Sequence, residues 1–184
     1  MRSFTLVPLF GLGALSSLLT TEMPHLLVPL RYDAPNTAQN TQLTGEVSNT
    51  VYTEVSFDMP GNIDARICRT GFEINTSPVK NAPRELKGDA PFQFNIWRLT
   101  SPIDKANDTW VRHATIGELV ATVTITPDGA VSVNGGWFKC PPKWSIAEFI
   151  LRPVGTRALK YWWFELDYPE ADGGKHGITM EMYS

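Results

Sequence analysis

The chain has little of what chemistry written into a short motif requires. Its three histidines stand far apart, at 25, 113 and 176, and none belongs to an H-x-H or HExxH pattern. No serine sits in G-x-S-x-G and no glycine-rich phosphate loop occurs. No catalytic residue, metal ligand or cofactor is therefore assigned, and the chain is not expected to be an enzyme. Basic residues occur singly, and 16 Lys and Arg against 19 Asp and Glu give a net charge of −3. Such a surface has no general attraction for nucleic acid or an anionic membrane, so neither is expected as a partner. The C-terminal GITMEMYS has no apolar tail, hence no lipid-anchor signal.

Cysteine is nearly absent. Cys68 and Cys140 are the only two, neither lies in a C-x-x-C, and no histidine is paired with either in a recognisable pattern. In an oxidising compartment an even pair reads as one disulfide, worth about 4 kcal/mol by the chain-entropy model for a loop of this length. A reactive thiol is the competing reading.

The N-terminus agrees with that compartment. One basic residue, Arg2, precedes a long apolar and small-residue run, and the first acid is Glu22. This is the layout of a secretory leader. The run is shorter than the ~20 residues a bilayer span needs and is interrupted by Pro8, Gly11 and Gly13. The leader is placed at residues 1–20, with Ala14-Leu15-Ser16 offering a small-residue cleavage signal and Thr20 or Thr21 an alternative. Residues 21–184 then form one domain. Asn75 (N-T-S) and Asn107 (N-D-T) are glycosylation acceptors by pattern.

The remainder alternates with period two almost throughout. VYTEVSFDM (51–59) sends Val51, Thr53, Val55, Phe57 and Met59 to one face. FQFNIWRL (92–99) and GELVATVTIT (117–126) do the same, the latter placing Leu119, Ala121, Val123 and Ile125 together. Asp128-Gly129 supplies turn chemistry, and Asn134-Gly135-Gly136 a second turn or a bulge. HLLVPLR, RICRTGFEI, AEFILRPV, LKYWWFELDY and GITMEMY complete about nine strands at sandwich spacing. Helix signals are scarce: Ser145 to Glu148 fits a capping box, but Pro153 follows within about two turns, so a strand is expected with a short helix as alternative. NTSPVKNAPRELKGDAP (75–91) reads as a surface loop. The expected fold is an all-β, antiparallel, jelly-roll-like β-sandwich with one disulfide.

ALKYWWFELDY (158–168) is the densest aromatic stretch. Alternation puts Trp162, Phe164, Leu166 and Tyr168 on one face, wholly apolar but for a phenol, and assigns it to the core. Tyr161, Trp163, Glu165 and Asp167 share the other. Rings beside carboxylates suit sugars, whose C–H faces stack on aromatics while their hydroxyls bond to acids. These four are the candidate ligand contacts, against the competing reading of ordinary packing, which also covers Trp97, Trp110, Trp137 and Trp144. Glu165 and Asp167, about 7 Å apart if on one strand, also meet the spacing of a glycosidase pair, as many strand acids do. Asp167, Glu170 and Asp172 in DYPEADGG lack the EF-hand spacing and read as a solvated turn rather than a calcium site.

The order of PHLLVPL, APNT (34–37), TGEVSNTV leading into VSFDMP, the cysteine of RICRTGF, FKCPP and LKY…DY resembles the fungal family named for the C-terminal domain of ubiquitin 3 binding protein. The resemblance covers the whole mature chain. It implies a signal peptide, a β-rich domain and a Cys68–Cys140 disulfide, and it supplies no catalytic residues. The family name implies a partner in the machinery of a ubiquitin-like modifier, which is intracellular, whereas this chain carries an export signal. That partner is therefore not carried over. PEADGGKHG and the tryptophan content depart from the family pattern. The expectation is a secreted or wall-associated, non-catalytic β-sandwich of unassigned activity, whose ligand, if it binds one, is a glycan on the Tyr161 and Trp163 face; the alternatives are an extracellular carbohydrate-active enzyme and an intracellular interaction module related to ubiquitin-like modifier pathways.

Overall fold

The computed structural model describes residues 16–80 and 82–184, so most of the expected leader lies outside the described residues. Fourteen strands follow in order: β1 (Leu18–Glu22), β2 (Leu26–Arg31), β3 (Thr44–Ser48), β4 (Val51–Asp58), β5 (Ile67–Glu73), β6 (Arg84–Gly88), β7 (Phe92–Leu99), β8 (Ile116–Ile125), β9 (Val131–Gly135), β10 (Trp137–Lys139), β11 (Ile146–Pro153), β12 (Leu159–Phe164), β13 (Leu166–Asp167) and β14 (Lys175–Tyr183). One 3-10 turn, Glu170–Asp172, precedes β14, and no α-helix occurs among the described residues. The all-β expectation holds, with more strands than the nine foreseen.

All pairings are antiparallel. The larger sheet runs β2-β4-β11-β7-β8-β9. A second runs β1-β14-β5-β10, with β13 on β14, and a small third is β3-β12-β6. Alternation explains the packing: Val55 and Phe57 of β4, Phe94 and Ile96 of β7, and Phe149 and Leu151 of β11 meet Phe72, Ile178, Met180 and Met182 of the second sheet in one core. Each such side chain contributes roughly 1.5–3 kcal/mol by leaving water. Cys68 and Cys140 are bonded, Cα to Cα 5.0 Å, tying β5 to the chain just past β10.

Gly135 and Gly136 redirect the chain between two sheets rather than closing a simple turn. With φ of 86° and 92°, they bend the chain out of the larger sheet, and Gly136 donates its N–H to Val120 while accepting from Thr70. Thus β9 belongs to one sheet and β10 to the other.

Three local expectations are corrected. The 75–91 segment contains β6, whose polar RELKG lacks an apolar alternation because only Leu86 packs toward the core. Leu119 does not join Ala121: a register shift opposite Ile96 and Trp97 turns Leu119 to solvent and packs Val120 against the core. Third, the faces of β12 are reversed, with Tyr161 and Trp163 fully buried and Trp162 and Phe164 half-buried.

The outer face of the larger sheet is also covered. The strand-free segment 100–115 lies over it, building a second apolar cluster from Leu30, Leu99, Ala114 and Ile150 with Tyr52, Trp97 and Trp110. Beneath it Glu54 is fully buried. Its Oε1 accepts the Ala114 N–H at 3.2 Å, and Ile103 N–H reaches Glu148 Oε1 at 3.2 Å. Burial first, and then the neighbouring Asp108 carboxylate, push Glu54 up to about 8.

Candidate functional site

Tyr161 and Trp163 make no sugar platform. Their rings stack at 5.4 Å, and the Phe72 edge meets them at 5.6 and 5.2 Å. Buried indoles need an acceptor for their N–H, and this requirement carries Glu165 inward. Trp163 Nε1–H donates to Glu165 Oε2 at 2.6 Å. The carboxyl lies against the bare Gly177 backbone, where a Cβ would stand 2.3 Å from both oxygens. Burial raises its pKa to about 8, against the opposing Trp163 and Ile178 hydrogen bonds. Asp167 is exposed and bound to Lys175. Glu165 and Asp167 do line one groove of about 400 Å³ with His25 and Leu43. Yet each carboxyl is already engaged, one by an indole and one by an ammonium group. This arrangement gives no support to the paired-carboxylate reading.

Asn75 is not available to a glycan in the fold. It is buried, and its Nδ2 donates to the carbonyls of Asp172 and Gly174 at 3.0 and 3.1 Å. Its backbone N–H donates to His176 Nδ1 at 3.0 Å. Asn75 therefore fastens the PEADGGKHG segment to the loop after β5. Asn107 is exposed, with Nδ2 on Asp104 Oδ2 at 2.8 Å. Among the described residues no group of three or more His, Cys, Asp or Glu is placed to hold a metal.

An aromatic surface does exist on the outer face of the second sheet. The register sets Trp137 beside Arg69, and Arg69 beside Glu181. One step along, Lys139, Ile67, Tyr183 and Leu18 form the next row. Trp137 is 54% exposed, and its ring centroid lies 5.1 Å from that of Tyr183. The Arg69 guanidinium sits 5.2 Å from the Trp137 centroid and 3.4 Å from Glu181 Oε2, which also accepts the Tyr183 hydroxyl at 2.7 Å. Partial burial and the Glu181 bond raise the Tyr183 pKa, so the phenol stays a donor at neutral pH. Beside these rows lies a hollow of about 760 Å³ lined by Leu19, Ile67, Arg66, Asn62 and Asp64.

This is a rigid, sheet-borne surface that offers two rings, a guanidinium and a carboxylate side by side. Period two already placed Ile67 and Arg69 opposite Cys68, and Glu181 and Tyr183 opposite Met180 and Met182. That signal was readable, but nothing local tied those strands together.

Residues 22–167 match the family model described as Ubiquitin 3 binding protein But2 C-terminal domain. No curated protein and no solved structure matches the chain.

Proposed function

The chain belongs to the But2 C-terminal domain family, and from that premise we propose that it is a secreted, non-catalytic fungal domain that binds glycan of the wall or surroundings through the Trp137 face. The observation that carries this reading is the exposed Trp137 ring flanked by Tyr183, Arg69 and Glu181. A pyranose ring stacks its C–H face on an indole without needing charge. Arg69 then supplies donors and Glu181 acceptors to ring hydroxyls. Both charged groups are held by each other and by Tyr183, so little side-chain freedom is lost on binding.

Secretion is supported by the leader-like N-terminus and by a disulfide that suits an oxidising compartment. The partner in the family description is not carried to this chain.

The test is retardation in affinity gels containing soluble β-glucan or glycol-chitin, followed by calorimetry with the polymer that retards. Trp137→Ala should sharply reduce retardation while leaving the thermal melt within about 1 kcal/mol of the parent, as expected for a half-exposed ring. Unchanged retardation in Trp137→Ala would remove this face as the site.

A further inference from the structure

Trp144 is 85% exposed and has φ of 62°, the left-handed region that bulky residues rarely occupy. Glycine or asparagine would hold such a turn with less strain, so the turn itself does not call for an indole. The turn is nonetheless firmly fixed. Trp144 N–H donates to the Met59 carbonyl at 2.9 Å, and Met59 N–H donates to Ser145 at 2.9 Å. The Ser145 hydroxyl donates to Pro142. The indole lies against Gly61, where a Cβ would stand 1.7 Å from Trp144 Cε2. An aromatic ring packed against glycine, anchored through its own backbone and that of Ser145 and left open to water, has the form of a stacking platform.

Its position links it to the Trp137 face. Gly61 immediately precedes Asn62 and Asp64, which line the 760 Å³ hollow, and Lys143 reaches back to Asp64 at 3.3 Å. The lining of that hollow also includes Ile67, the register partner of Tyr183. Tyr183 thus adjoins the hollow through its register partner Ile67, and the Trp144 loop adjoins it through Gly61 and the Lys143–Asp64 pair. The hollow itself offers polar Asn62, Asp64 and Arg66 alongside apolar Leu19 and Ile67, the mixture that sugar hydroxyls and ring faces use.

Resting on the glycan-binding reading of the Trp137 face, we infer that Trp144 is a second stacking subsite, separated from the first by the hollow, and that the ligand is a polysaccharide chain rather than a terminal mono- or disaccharide. A chain long enough to cross the hollow gains both platforms at once, and a short one gains only one.

The experiment is calorimetric titration of the full chain with chito- and β-1,3-gluco-oligosaccharides of two and of six units. For the series that binds, the parent should prefer the hexamer. Trp144→Ala should weaken hexamer binding about tenfold, the effect of losing one aromatic stacking contact, and leave the dimer unchanged. Trp144→Tyr should restore most of the loss, whereas a purely structural side chain would shift the melt instead. Trp137→Ala should weaken both lengths. Hexamer affinity unchanged by Trp144→Ala overturns the second subsite while the Trp137 reading stands. Equal parent affinity for the two lengths also overturns it. A parent that binds neither series overturns both.

Discussion

Trp163 lies directly on the backbone of Gly45: a Cβ added there would stand 2.0 Å from Trp163 Cζ2. The two residues face one another across the β3–β12 pairing, so the ring covers its own cross-strand partner. Only a residue without a side chain leaves that space.

Gly45→Ala should therefore displace the ring, not merely crowd it. Its neighbours include the Phe72 ring, the stacked Tyr161 and the Glu165 carboxyl that holds its N–H. Overpacking of this kind costs about 1–3 kcal/mol or more. Chemical denaturation should show that loss, together with altered near-ultraviolet circular dichroism from Trp163. A melt indistinguishable from the parent would mean that Trp163 is not held as described.

The stability of the domain should fall as pH rises from mildly acid to mildly alkaline. Glu54 and Glu165 both keep their protons in the folded chain until about pH 8, because burial disfavours the ions, while unfolded glutamates release theirs near 4.5. Below about 4.5 both states are protonated and the folded state bears no penalty. Between 4.5 and 8 the unfolded state alone loses protons, which favours it. His176 works the other way. Buried and close to Arg84, it has its pKa lowered to about 4 from 6.5, so the unfolded state gains a proton first as the medium is acidified. The opposing effects place the steepest loss between pH 6.5 and 8, where only the glutamates titrate. Melts across pH 4–9 should show it, and Glu165→Gln should flatten the slope. A melting temperature that rises from pH 6.5 to 8 would contradict the burial of these acids.

Much of this was readable in the residues, and the failures have definite causes. Alternation located β4, β7, β8, β11 and β14 because each carries an apolar set on at least one face. In β12 it found the period and missed the phase, since both faces carry rings. The tie was broken by Trp163 Nε1–H, whose need for an acceptor takes Glu165 inward with it. Glu54 alternates with the core-facing residues of β4, and its burial comes from the segment 100–115, which no period-two pattern reports. The Trp137 face joins residues distant in sequence, such as Arg69 and Glu181 at 112 positions apart, through register alone. No local pattern reports that neighbourhood.

Asn75 should be free of glycan and costly to change. Its side chain makes three hydrogen bonds, two donated to Asp172 and Gly174 and one accepted from the Ser77 N–H at 2.8 Å. Asn75→Ala leaves those backbone groups without their partner in a largely closed site, at a cost of about 2–3 kcal/mol. Peptide mapping of protein recovered from a fungal culture should find Asn75 unmodified. A glycan there in well-folded protein would contradict its burial.

Export should leave a chain that begins at Ser17. Cleavage after Ala14-Leu15-Ser16 preserves β1, in which Leu18 pairs with Tyr183, Thr21 with Glu181 and Glu22 with Met180. Ser17 then clasps the other end of the chain, accepting the Ser184 N–H at 3.1 Å and donating its own N–H to Ser184 Oγ at 3.1 Å. A cut after Thr20 would fall inside the strand, leave Met182 and Tyr183 of β14 without their partners on β1 and strip Leu18 from the row that holds Tyr183. A chain started at Glu22 should accordingly lose about 1–3 kcal/mol of stability, in line with removing an edge strand's hydrogen bonds and apolar cover. It should also bind glycan more weakly, because Tyr183 loses a neighbour. Intact mass of the secreted protein gives the answer directly. A mature chain that starts at Thr21 or beyond would show that β1 is dispensable, and with it this account of how the Tyr183 edge is kept in place.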